Sequence, residues 1–152
     1  GPGIEVLMSR DYYSQNEQDP ITTSSELDIK KFVDATTIVI KELAEKNNVV
    51  ILGRGGNMIL GDYPNSLHVD VIAPFERRVQ TIMTREHLDE TTARNFVENH
   101  EAARITFFRK AFNVDPLDSS LYHMILNMDH LKTETAAEIV AHATQDMAYQ
   151  IN

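Results

Sequence analysis

The sequence predicts an α/β protein in which a parallel sheet carries helices on both faces. Three observations lead there. Short apolar runs alternate with longer stretches of three- and four-residue apolar spacing, in the order helix, strand, helix, strand, helix. The run Val49-Val50-Ile51-Leu52 is apolar at every position, as a strand covered on both faces must be. Pro74 follows directly on "LHVDVIA", so a strand feeds a helix whose first turn suits proline, because that N–H would be unbonded anyway. Such spacing belongs to right-handed crossovers between parallel strands.

Each element has its own warrant. Residues 1–27 read as polar and irregular, and the leading Gly-Pro-Gly has the form of a protease-cleavage scar. They are expected to be a tag remnant and an irregular segment ahead of one α/β domain over 28–152. Ile29, Phe32, Val33, Thr36, Val39, Ile40 and Leu43 mark one face of a helix over 28–46, with Asp28 as its N-cap and Asn47-Asn48 as its stop. A strand over 49–52 runs into Gly53-Arg54-Gly55-Gly56-Asn57. A second strand spans 67–73, and "PFERRVQTIMTRE" is a helix. "LDETTARNFVENHEAARITFFRKAF" forms one longer helix or a helical pair, N-capped by Asp89. "NVDPLDSS" is a loop and "YHMILNM" a third strand. Thr133 caps a last helix, with Ala136, Ile139, Val140, Ala143, Met147 and Ile151 on its buried face. One parallel sheet is expected to contain 49–53, 67–72 and 123–127.

Composition narrows the function classes. A length of 152 residues suits one domain with one core. A net charge of −9 disfavours a protein that grips the nucleic-acid backbone. No apolar run approaches the ~18 residues of a spanning helix, so neither nucleic acid nor a membrane is an expected partner. The absence of cysteine excludes a disulfide scaffold and a thiolate metal site, and fits a reducing cytoplasm. The six histidines form no metal motif, so no metal ligands are assigned. His68 and His123 read as packed or strand-edge residues. Asp70, in mid-strand, either faces a polar crevice or marks a strand end. Phe107, Phe108 and Phe112 read as packing residues ahead of a base-stacking platform. Six of the eight arginines fall between 77 and 109, an island that either binds a small anion or lines a charged helix face.

The glycine turn holds the candidate site. In open α/β sheets ligands sit beyond the carboxyl ends of the strands, where this turn lies. Its chemistry is neither that of a dinucleotide fingerprint, which needs a third glycine, nor that of the ATP cradle G-x-x-x-x-G-K-[ST]. No glycine in the chain precedes a lysine. What remains is a turn that lets Arg54 leave the strand end, and its planar, permanently charged guanidinium suits a phosphate monoester.

Four segments carry a resemblance. "ILGRGGNMIL", "HVDVIAPFERRVQTIMTRE", "RITFFRKAFNVD" and "LYHMILNMDHLKTETAAEIV" resemble, in order, segments of the cytidylate kinase-like proteins of the P-loop nucleoside monophosphate kinase superfamily. The likeness runs from about residue 28 to residue 145. It implies a nucleoside monophosphate kinase-like fold without its N-terminal strand, P-loop and helix, and a cytoplasmic nucleotide-binding transferase. By that resemblance Arg54, with Gly55 and Asn57, binds the phosphate of a cytidine-type acceptor. Arg104 and Arg109, aided by Lys110, are lid residues that neutralise the phosphoryl group in transit. ATP and Mg2+ are implied by the resemblance only. The expected ligand is a nucleotide or other small phosphorylated molecule, with a homodimer or fusion to further domains left open. The alternative reading is a non-catalytic pseudo-kinase or interaction module of a larger protein.

Overall fold

Where one sheet is expected, the strands form two. The computed structural model describes residues 5–7 and 26–149. Strand β1 (Glu5–Leu7) runs parallel to β2 (Val49–Ile51), with Glu5 opposite Val49 and Leu7 opposite Ile51. Strand β3 (Val69–Ile72) runs parallel to β4 (Met124–Asn127), with Val69 opposite Met124 and Ile72 opposite Asn127. Among the described residues no ladder joins β2 to β3. The parallel direction agrees with the alternating order of elements, whereas the grouping of strands does not follow from it: hydropathy marks a strand without naming its neighbour. The stretch expected to be irregular over 1–27 thus supplies a strand.

The chain divides into two compact units. Among the described residues the first comprises 5–7, 26–62 and 102–118, and the second 63–101 and 119–149. Each has its own apolar cluster, in place of the single core expected from the length.

In the first unit, α1 (Glu26–Lys46) starts two residues before the expected cap. Asp28 therefore lies inside the first turn, where its charge complements the helix dipole. Ile29, Thr36 and Ile40 are buried as their spacing requires, while Val39 is 46% exposed. Asn47 and Asn48 both take left-handed backbone, which asparagine tolerates and which stops the helix. Val50 is 45% exposed, so β2 is not covered on both faces: an apolar strand permits such cover without supplying it. The core gathers on Phe107 and Phe108, with Phe32, Val33, Met58 and Val114 packed around them. Phe32 and Phe108 both meet Phe107 edge-on, at 6.1 and 5.9 Å between ring centres.

In the second unit, α3 (Phe75–Glu86) begins after Pro74, which occupies the cap and not the first turn. α4 (Glu90–Phe112) is one continuous helix, shared between the units. Asp89 caps it, its Oδ1 accepting the Thr92 N–H at 3.2 Å. Val79, Ile82, Ala93 and Val97 form the core of this unit. In α5 (Thr133–Tyr149) Ala136 is buried, but Ile139 is 39% exposed and departs from the expected buried face. Ile151 and Arg10 lie outside the described residues. Asp70 is buried within β3. β3 and β4 are shorter than expected and leave His68 and His123 just before them, with rings stacked 5.0 Å apart.

Candidate functional site

The turn after β2 bends through three successive left-handed residues: Gly53 at φ 71°, Arg54 at φ 57° and Gly55 at φ 68°. Glycine takes this conformation freely, whereas a side chain costs about 1–2 kcal/mol there. Arg54 is therefore held by its flanks. The Gly56 N–H donates to the Gly53 carbonyl at 3.1 Å, and the Met58 and Ile59 N–H groups donate to that of Gly55 at 2.9 Å each, which opens the short helix α2 (Gly56–Leu60). Asn57 lies in the first turn of α2. Arg54 is half-buried, and its Nε reaches no hydrogen-bond acceptor, although the residue has other interactions.

Arg104, Arg109 and Lys110 lie on the last turns of α4. The Arg104 guanidinium sits 5.3 Å from the centre of the Phe108 ring, one helical turn on. Arg109 and Lys110 are exposed at the carboxyl end of the helix, where cations complement its dipole. The end is closed by Asn113 in left-handed backbone, its N–H donating to the Arg109 carbonyl at 3.0 Å. A mobile lid is the expectation for 104–115. Residues 104–112 are helix, as their spacing predicts, and Phe107 and Phe108 on its inner face are core.

The two segments meet at Gly55. A Cβ built there would come within 2.6 Å of Cζ of Phe112, and closer still to Cε2, with Cε1 of Phe107 at 3.6 Å. The missing side chain is the space that the Phe112 ring fills. One unit therefore carries Arg54, Gly55 and Asn57 on the turn and Arg104, Arg109 and Lys110 on the helix end. The role of Phe112 in joining them was not legible in advance. Its signal is a glycine that a turn of this hand and a large neighbour both require.

The arginine island divides. Arg78 donates from Nε to the Ala73 carbonyl at 3.0 Å and reaches Glu101 at 3.5 Å. Arg94 forks onto both carboxylate oxygens of Glu76, at 2.9 and 2.6 Å, and onto Glu90. Both guanidinium groups lie over the Phe75 ring, at 5.7 and 5.6 Å. Hydrogen bonds donated to the Glu76 and then the Glu90 carboxylate hold the Arg94 guanidinium above its ordinary pKa. In the second unit, then, Arg78 and Arg94 are taken up by carboxylate and carbonyl partners within the unit. Among the described residues no group of three or more histidine or acidic side chains could hold a metal ion, and no helix is long and apolar enough to cross a membrane.

Comparison with known proteins decides the family. The model of the cytidylate kinase-like family matches residues 5–130, which takes in both ladders, the glycine turn and the end of α4. The chain belongs to the cytidylate kinase-like family. It is 29% identical over 119 residues to a cytidylate kinase of Methanoregula boonei, covering 77% of this chain and 63% of that protein. It is 27% identical over 122 residues to a cytidylate kinase of Methanoculleus marisnigri, covering 80% and 65%. The chain spans about half to two thirds of the length of the first curated relatives it matches. A crystal structure of an uncharacterized protein from Eubacterium ventriosum shares the fold, with a TM-score of 0.73 at 18% identity over 94% of this chain and 84% of that one.

Proposed function

We propose that the turn at 53–57 and the carboxyl end of α4 form the phosphate-handling surface of a nucleotide-binding, kinase-like domain. In this reading Arg54, with Gly55 and Asn57, receives the phosphate of a cytidine-type nucleoside monophosphate. Arg104 and Arg109, aided by Lys110, neutralise the phosphoryl group that arrives from ATP. The observation that carries it is the seating of Phe112 on Gly55, which puts both arginine-bearing segments in one unit. Family membership and the relatives named cytidylate kinase support the reaction class. The chemistry suits arginine, because phosphoryl transfer is catalysed mainly by positioning and by charge aimed at the moving group.

Mg2+ bound to ATP would supply charge neutralisation at the β- and γ-oxygens. The described residues offer no cluster fit to hold that ion, and the sequence has no G-x-x-x-x-G-K-[ST] cradle. In this reading the donor side is held by residues beyond these 152.

Calorimetric titration with CMP, beside a coupled assay of ADP release, tests both halves. The chain is expected to bind CMP, with Arg54→Ala weakening binding about tenfold or more through a lost charge-assisted bond. ADP release by the chain alone stays at background. CMP affinity indifferent to Arg54→Ala defeats the acceptor assignment, and turnover by the chain defeats the placing of ATP elsewhere. A non-catalytic module for a nucleotide or protein partner is the second reading, favoured by the missing Gly-Lys pair. Silence in both assays decides for it.

A further inference from the structure

We propose that Phe112 is a positioning residue for the arginines of this surface. Its ring fastens the end of α4 to the glycine turn, so that the arginines of the two segments are held in place before the anion arrives. The inference rests on the reading of this surface as a phosphate site.

The links are all short. The Phe112 ring occupies the space where a Cβ of Gly55 would be. It meets Phe107 edge-on at 5.7 Å and lies tilted against Phe108 at 5.8 Å, and Phe107 is only 1% exposed. Phe108 in turn lies under the Arg104 guanidinium at 5.3 Å. Arg109 precedes Phe112 by three residues on the same helix, so the two are neighbours on its surface. On the other side of the contact, Arg54 is fixed between two left-handed glycines. Close-packed rings transmit displacement, so the helix end cannot shift without either opening the Phe112–Gly55 contact or carrying the turn with it. Donors held in place before the ligand arrives need no reorganisation when it binds, and that is the benefit of such a fastening. Burial alone would be met by any large aliphatic side chain at 112. A flat ring over a residue with no Cβ is the more specific requirement.

The test is CMP titration of the full chain and its Phe112→Leu, Arg54→Ala and Arg54→Ala/Phe112→Leu variants. Melting curves and ligand-free amide exchange at Gly56, Met58 and Ile59 are read alongside. Phe112→Leu should weaken CMP binding about tenfold while the chain stays folded at the assay temperature. In the Arg54→Ala background the same leucine should cost less than about threefold, because the charge it positions is already gone. Amide exchange in the turn should speed up in Phe112→Leu. Equal losses in both backgrounds overturn the positioning role while leaving the phosphate reading intact. Failure of the parent chain to bind CMP overturns that reading and the positioning role with it. Exchange unchanged by Phe112→Leu overturns the fastening whether or not CMP binds.

Discussion

Gly55 and Phe112 share one space: the ring of the second lies where the Cβ of the first would be. Gly55→Ala should therefore cost more than its backbone alone explains. Left-handed φ contributes about 1–2 kcal/mol and the clash a further ~1–3 kcal/mol. Combined with Phe112→Ala, the clash disappears and only the backbone cost of the new alanine remains. Denaturant unfolding of the two single variants and the double variant measures this coupling. Additivity would contradict the contact.

Arg54 occupies left-handed backbone that glycine prefers. Arg54→Ala and Arg54→Gly remove the same guanidinium but differ in how well they tolerate φ 57°. The glycine variant should be the more stable of the two by about 1 kcal/mol, even after its greater unfolded-state entropy is counted. Both should bind CMP equally poorly. Thermal melts and titrations on the same preparations check the two statements separately.

Arg94 gathers Glu76 and Glu90 with a forked guanidinium. Arg94→Lys keeps the charge but not the fork, so it should recover little of the small loss in melting temperature expected for Arg94→Ala. The loss should shrink in about 1 M salt, since these groups are solvent-accessible. The folded state favours the charged form, so the contribution holds throughout the neutral range. The guanidinium's share is lost as pH rises through the raised value. Melting curves at two salt concentrations read this directly.

His123 accepts the His68 backbone N–H on Nδ1 at 2.9 Å, and the His68 carbonyl accepts the His123 N–H at 2.8 Å. The neutral His123 ring must then carry its proton on Nε2. Long-range nitrogen–proton correlation spectra should show that tautomer. His123→Phe should keep the ring stack and cost less than about 1 kcal/mol, because water can replace an exposed acceptor. The opposite tautomer would refute the bond.

Much of the architecture was legible because it is written in local terms. Asp89 caps α4 because a carboxylate at that position meets a free N–H whatever surrounds it. Asn47-Asn48 and Pro74 punctuate helices by backbone geometry alone, and the glycine turn announces itself by composition. The candidate arginines were legible in the same way, as residue types at the ends of such elements. The expectation of one sheet failed because Val49–Ile51 and Val69–Ile72 carry no mark that says which strand each will pair with. Glu5–Leu7 is not legible as a strand because three residues are too short a run for periodicity to register.

By itself the sequence determined where helices begin and end, the parallel sense of the strands, and the family. Each depends on interactions between residues near in the chain, or on the order of elements. Only the tertiary structure decided that the strands pair as two ladders, that Arg94 is absorbed by Glu76 and Glu90, and that Phe112 closes over Gly55. Those outcomes turn on which distant side chains come to fill the same space. Close packing settles that between particular shapes, and a one-dimensional pattern of hydropathy does not contain the shapes.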